Sequence, residues 1–336
     1  MRNTVKLAIA CAMLSLGWAV AAPSGTVYTA NERDGSVSQV DLASGQVVTV
    51  KLDIVPHNVQ VSPDGKWLLA TGMPAHGGHQ GHGGHGGGGG LLEVFSTTGF
   101  DQPLFTLPAG DHPAHVVTDQ AGKRAFVTDS AADEVQVFDL DTRSRVGAVK
   151  TGKFPHGLRL SPDGKTLYVA NMKSNSVSVI DTERAAEVAR IPVGKAPVQV
   201  GFAPGGNEAY VSLSGENRLG IIDTATRKLV AKLPVGRLPI QMYATPDGKQ
   251  LYVANQGSTS QPDDRVSVID PAARKVLATL TTGKGAHGVA ISRDGAYAFV
   301  SNIEAGTFSV IDTASRQVIA THHVGAGPNG ISYRPD

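Results

Sequence analysis

Histidine is the residue through which this chain could do chemistry: it has eleven histidines and a single cysteine. A neutral imidazole nitrogen is a ligand for borderline and transition metals and a proton carrier near neutral pH. Four histidines, His76, His79, His82 and His85, recur at every third residue within GMPAHGGHQGHGGHGGGGG, where ten of the positions from Gly77 to Gly90 are glycine. Such a stretch cannot pack a core and samples many backbone conformations, so residues 72–90 are predicted to be a surface loop. Its imidazoles suit Cu²⁺, Zn²⁺ or Ni²⁺, and its lack of carboxylates argues against Ca²⁺ and Mg²⁺. Flexible spacing does not choose among the three metals. The competing reading is a low-complexity expansion that binds metal only incidentally.

A second histidine set is positional. The segments VPHN, HPAH, FPHG, APVQ, LPIQ, GAHG and GPNG occupy equivalent places along the chain and align His57, Ala114, His156, Val198, Ile240, His287 and Asn329. His112 and His115 flank the alanine. Brought to one point, these side chains could hold a metal ion, a haem or an anionic ligand. Val198 and Ile240 mark an apolar sector. The competing reading is turn chemistry copied by duplication, each ring bonded to a neighbouring backbone.

The elements that must position them are short strands. In Ser161–Gly194 the runs Leu167–Ala170, Ser176–Ile180 and Glu187–Val193 alternate apolar and polar residues between Asp, Asn and Gly punctuation, and Gly157–Leu160 precedes the SPDGK turn. Period-two alternation with such boundaries indicates strands. The pattern recurs in seven units of 42, 57, 42, 42, 42, 47 and 40 residues between Gly25 and Asp336, with landmarks such as YTAN, YVAN and FVSN, then VSQVD, VSVID and FSVID. Four strands per roughly 40 residues is the repeat of a propeller blade, which buries its faces only by stacking on neighbours. An all-β, seven-bladed β-propeller is therefore predicted over residues 22–336. Gly330–Arg334 is expected to pair with Val27–Ala30 and close the ring.

These units resemble the YVTN-family β-propeller repeats, a resemblance covering essentially all of residues 25–336. It is similar at a distance to the propellers of a nitrite reductase haem domain and of nitrous oxide reductase, and to lactonase-like proteins. It implies the fold, and it makes a bound metal or metal cofactor plausible. On that frame each aligned histidine starts the strand beside the central channel. Alternation puts His57, His156 and His287 in phase with Val59, Leu158 and Val289, which argues instead for rings directed between blades. Arg159 and Tyr243 also fall on innermost strands, placed to meet a ligand or to be paired. The repeated Asp41, Asp139, Asp181, Asp223, Asp270 and Asp312 end third strands and read as turn-forming residues.

Met1–Ala21 has a charged start at Arg2 and Lys6, an apolar stretch too short to span a membrane with ease, and Ala19-Val20-Ala21 before Ala22. It reads as an export signal, so the mature protein is expected in the periplasm or outside the cell. Cleavage removes Cys11, the only cysteine, and leaves 28 basic against 29 acidic residues, since Arg2 and Lys6 are lost from 30. Disulfides and thiolate metal sites are then excluded. Near-neutral charge without a basic run gives no strong nucleic-acid footprint. The chain lacks a G-x-S-x-G elbow, an H-E-x-x-H helix and a phosphate loop. The leading expectation is a monomeric, non-enzymatic binder of a transition metal (Cu, Zn or Ni) or metal cofactor. An enzyme or cofactor-maturation factor using the same histidines, and a scaffold gripping a protein partner, are the alternatives.

Overall fold

The computed structural model describes residues 22–75 and 89–336. The predicted export signal and His76, His79, His82 and His85 lie outside the described residues. Among those residues, twenty-eight strands form seven antiparallel four-stranded sheets. The blade built on Pro155–Leu160, Thr166–Asn171, Ser176–Asp181 and Ala186–Pro192 shows the local logic. In its first turn Ser161 Oγ donates to Asp163 Oδ1 at 2.6 Å, and Gly164 takes the left-handed φ of 70° that the tight turn requires. Asp181 Oδ1 accepts the backbone N–H groups of Glu183 and Arg184 at 3.0 and 2.9 Å, so the repeated aspartates are turn devices.

No blade has a core of its own. Seven apolar clusters are each shared by two neighbouring blades; one joins Tyr168, Val177 and Val179 to Val200 and Val211 of the next sheet. Each fully buried side chain of this size contributes roughly 1.5–3 kcal/mol, so stability accrues at the interfaces and the ring must close to keep all seven. Closure follows the predicted strand pairing. Pro328–Arg334 is the innermost strand of the first blade, with Val27 opposite Tyr333 and Ala30 opposite Gly330. Blades are numbered from this one, so the innermost strands of blades 2 to 7 are Ile54–Val61, Pro113–Thr118, Pro155–Leu160, Pro197–Phe202, Pro239–Ala244 and Ala286–Ile291.

Blade 2 departs from the rest at the edge where residues 76–88 leave it. Its first two strands run on to pair Val55 with Met73 and Ile54 with Pro74. The strand that leads into the histidine-rich segment therefore rises beside the residues that precede His57, on the face where the innermost strands begin.

Candidate metal centre

Every innermost strand carries a register irregularity at its start. The shifts fall between Pro56 and Asn58, Pro113 and Val116, Pro155 and Leu158, Pro197 and Val200, Pro239 and Met242, and Ala286 and Val289, and Asn329 is skipped in the closing strand. A bulge leaves its residue outside the ladder and re-aims the side chain. The phase argument for rings directed between blades fails for this reason. The rings of His57 and His156 lie 5.2 Å apart although blades 2 and 4 are not neighbours, so they meet across the channel. His115 completes the group, its ring centroid 5.5 Å from His57 and 4.8 Å from His156.

The bulge has two positions, and the polar residue moves between them. Blades 4, 7 and 1 place His156, His287 and Asn329 first and follow them with Gly157, Gly288 and Gly330. Blades 3, 5 and 6 place Ala114, Val198 and Ile240 first and His115, Gln199 and Gln241 second, while blade 2 has His57 and Asn58. Glycine is needed where the neighbour's side chain crosses: a Cβ on Gly157 would sit 2.3 Å from Gln199 Oε1. The predicted apolar sector is thus a misreading. Val198 and Ile240 are buried, and the next residues, Gln199 and Gln241, carry polar groups toward the channel in their stead.

Among the described residues, His57, His115 and His156 form the one group of three or more potential ligands, with one nitrogen from each lying within 4.8 Å of the others. His57 Nε2 and His156 Nε2 are 3.2 Å apart. His156 Nδ1–H donates to the carbonyl of Val198 at 3.2 Å, which leaves the lone pair on Nε2. The short contact is therefore a hydrogen bond donated by His57 Nε2. His57 Nδ1 lies 3.3 Å from Glu32 Oε1 and 3.2 Å from Asn329 Nδ2, while Asn329 Nδ2 also donates to Glu32 Oε2 at 2.6 Å. His115 Nδ1 is 3.4 Å from Gln199 Nε2, and its Nε2 has no hydrogen-bond partner.

Burial, with the neighbouring imidazoles, holds the His115 and His156 rings neutral. It lowers His115 well below the usual histidine range and brings His156 down to about 3. His287 is lowered to about 4 by burial and then by His57, and its Nδ1–H donates to the Asn329 carbonyl at 2.9 Å. Burial raises Glu32, but its contacts with His57 and the hydrogen bond from Asn329 outweigh this and bring it down to about 2. An ionised carboxylate thus stands behind His57, in a layer where His115, His156 and His287 are neutral.

The sequence-predicted residues separate into three classes. His57, His115 and His156 meet. His287 joins the same polar layer through Asn329, outside the trio. His112 is exposed on the rim, its ring 5.9 Å from Phe154 and its backbone N–H bonded to Asp129 Oδ1 at 3.1 Å. Sequence reasoning missed Glu32 and Gln199. Glu32 sits on the short 3-10 turn after Thr26–Asn31, and only ring closure brings it to Asn329. The exchange of polar residue between the two bulge positions was the available signal for Gln199.

Solved structures share the fold at low identity. A functionally unknown protein from Desulfotomaculum acetoxidans superposes with a TM-score of 0.74 at 15% identity, covering 93% of this chain and all of that one, 100%. A Bacteroides uniformis protein provisionally assigned as a 6-phosphogluconolactonase gives 0.73 at 16%, covering 92% and 99%. Kuenenia stuttgartiensis hydrazine synthase gives 0.70 at 21%, covering 82% and 89%. No curated protein matches the chain at a significant level. The family model of the YNCE-like β-propellers matches residues 107–224 and 189–336, and since these spans together take in blades 3 to 7 and the strand that closes the ring, the chain belongs to that family.

Proposed function

We propose that this protein is an exported metal-binding propeller, working in the periplasm or outside the cell, that holds one transition-metal ion at His57, His115 and His156. The observation that carries the reading is the convergence of three imidazoles from three blades across the channel. Ligand nitrogens of a tetrahedral centre with bonds of about 2.0–2.1 Å lie about 3.3 Å apart, close to the 3.2 Å between His57 Nε2 and His156 Nε2. His115, whose nitrogen lies within 4.8 Å of the other two, would move closer to complete the set. An all-nitrogen set with no carboxylate ligand suits Zn²⁺, Cu²⁺ or Ni²⁺ and not Ca²⁺ or Mg²⁺. Glu32 behind His57 and the Val198 carbonyl behind His156 are outer-shell partners of the kind that orient metal-binding imidazoles. Space beneath the trio amounts to ≈ 10 Å³, which admits an ion or a water and not a haem macrocycle.

The test is calorimetric titration of tag-free protein with Zn²⁺, Cu²⁺ and Ni²⁺, with metal analysis of protein from its exporting host. One site per chain should disappear in the triple variant His57→Ala, His115→Ala, His156→Ala while the variant remains folded. A triple variant that takes up metal as the parent does refutes the assignment.

A further inference from the structure

Below the imidazoles the channel narrows to a small cavity lined by Asn58, His115, Arg159, Gln199 and Gln241 among others. The three amides are oriented alike. Asn58 Oδ1 accepts the Val116 N–H at 3.3 Å, Gln199 Oε1 accepts the Val200 N–H at 2.8 Å, and Gln241 Oε1 accepts the Val289 N–H at 3.4 Å. Each oxygen is thereby spent on the backbone, and the NH₂ ends face the channel, that of Gln199 with one N–H toward His115 Nδ1 at 3.4 Å and the other uncommitted. Gln241 is 4% exposed and its Nε2 has no partner. A buried donor without an acceptor costs about 1–3 kcal/mol unless something fills it.

Arg159 adds a charge to this set of donors. Its guanidinium carbon stands 5.1 Å from the ring centroid of Tyr243, and among the described residues no carboxylate pairs with it. Arg159 and these three amides offer N–H groups to the cavity, while Gln60, also on its lining, donates its own Nε2 to the Val61 carbonyl at 2.8 Å.

We propose that this cavity is a binding site for a small monoatomic anion of halide size, held by Arg159, Gln241 Nε2 and the amide ends of Asn58 and Gln199. A volume of ≈ 10 Å³ limits it to one such particle. The anion would offset the charge of Arg159 and, when the trio is loaded, part of the charge of the metal above it. The site does not depend on the metal reading, because the amides and Arg159 are in place with the imidazoles unliganded.

The experiment uses chelator-treated protein, so that failure of the metal reading leaves it intact. Crystals of the wild-type protein are grown in sodium bromide and the ion is located by anomalous diffraction. Thermal unfolding is followed in parallel across bromide concentration, with nitrate as an oversized control. A bromide peak within hydrogen-bond distance of Gln241 Nε2 is expected, with a midpoint that rises with bromide and not with nitrate. Arg159→Met, which keeps the stem over Tyr243, should abolish both the peak and the rise. Wild-type density that holds water or nothing, a peak at the surface alone, or a bromide response unchanged in Arg159→Met would each overturn the proposal.

Discussion

Replacing Glu93 by glutamine should stabilise this protein at alkaline pH, an unusual direction for a core substitution. Glu93 lies on Leu91–Ser96, the third strand of blade 2, and is 2% exposed with Oε2 unpartnered. Blades 1, 4, 6 and 7 have Ser38, Ser178, Ser267 and Ser309 at this place, each accepting from Asn31, Asn171, Asn255 or Asn302 at 2.9–3.1 Å. Blade 2 has Gly72 instead of that asparagine, so no amide reaches the carboxylate. Burial, and then the Asp53 carboxylate, push the Glu93 pKa up to about 7 from 4.5. The folded state therefore holds this proton more tightly than the unfolded chain. Its stability is penalised above pH 7 and recovers as pH falls from 7 to 4.5. A rise of that size corresponds to about 3 kcal/mol at most at pH 8.5. Glu93→Gln keeps the shape and removes the charge that burial and Asp53 disfavour. Urea unfolding at pH 8.5 should show a gain of about 2–3 kcal/mol, shrinking below about 1 kcal/mol at pH 5, where the parent carboxyl is protonated. A variant less stable than the parent at pH 8.5, or a gain equal at both pH values, would refute the reasoning.

Deleting residues 328–336 strips blade 1 of its innermost strand and Ile331 from the cluster with Val27 and Phe299. The midpoint of thermal unfolding should fall by more than about 10 °C, or the ring should not assemble, because several kcal/mol of burial is lost. His287, neutral in the fold to about pH 4, contributes stability that is present above about pH 6.5 and lost as pH falls toward 4. His287→Asn should flatten the loss measured between pH 6.5 and 4.5 by up to about 1.4 kcal/mol per pH unit, and an unchanged slope would show that the ring protonates freely. Changing His76, His79, His82 and His85 to alanine should remove a metal-binding component separable by titration from that of His57, His115 and His156. Thermal unfolding should be unchanged, and a large fall in midpoint would show that these residues belong to the folded core.

The architecture was legible in the chain because strand patterning is local. Alternation, SPDG-type turns and the recurrent aspartates mark each strand within a residue or two, as in Ser176–Ile180 against the observed Ser176–Asp181. Seven copies in register imply a ring, and the match between Gly330–Arg334 and the missing strand of the first unit implies how it closes. The site was legible only as a list of candidates. Alternation is a rule for residues inside the ladder, and the bulges lift His57, His115 and His156 out of it, so the sequence period pointed the rings the wrong way. His57 and His156 are 99 positions apart and lie on blades that do not touch. Their meeting depends on the channel width that seven packed blades impose. Glu32 and Asn329 are 297 positions apart and meet only because the last strand is the innermost strand of the first blade. What side chains a residue pairs with along one strand is written in its neighbours; what it faces across the channel is set by closure, which no local segment contains.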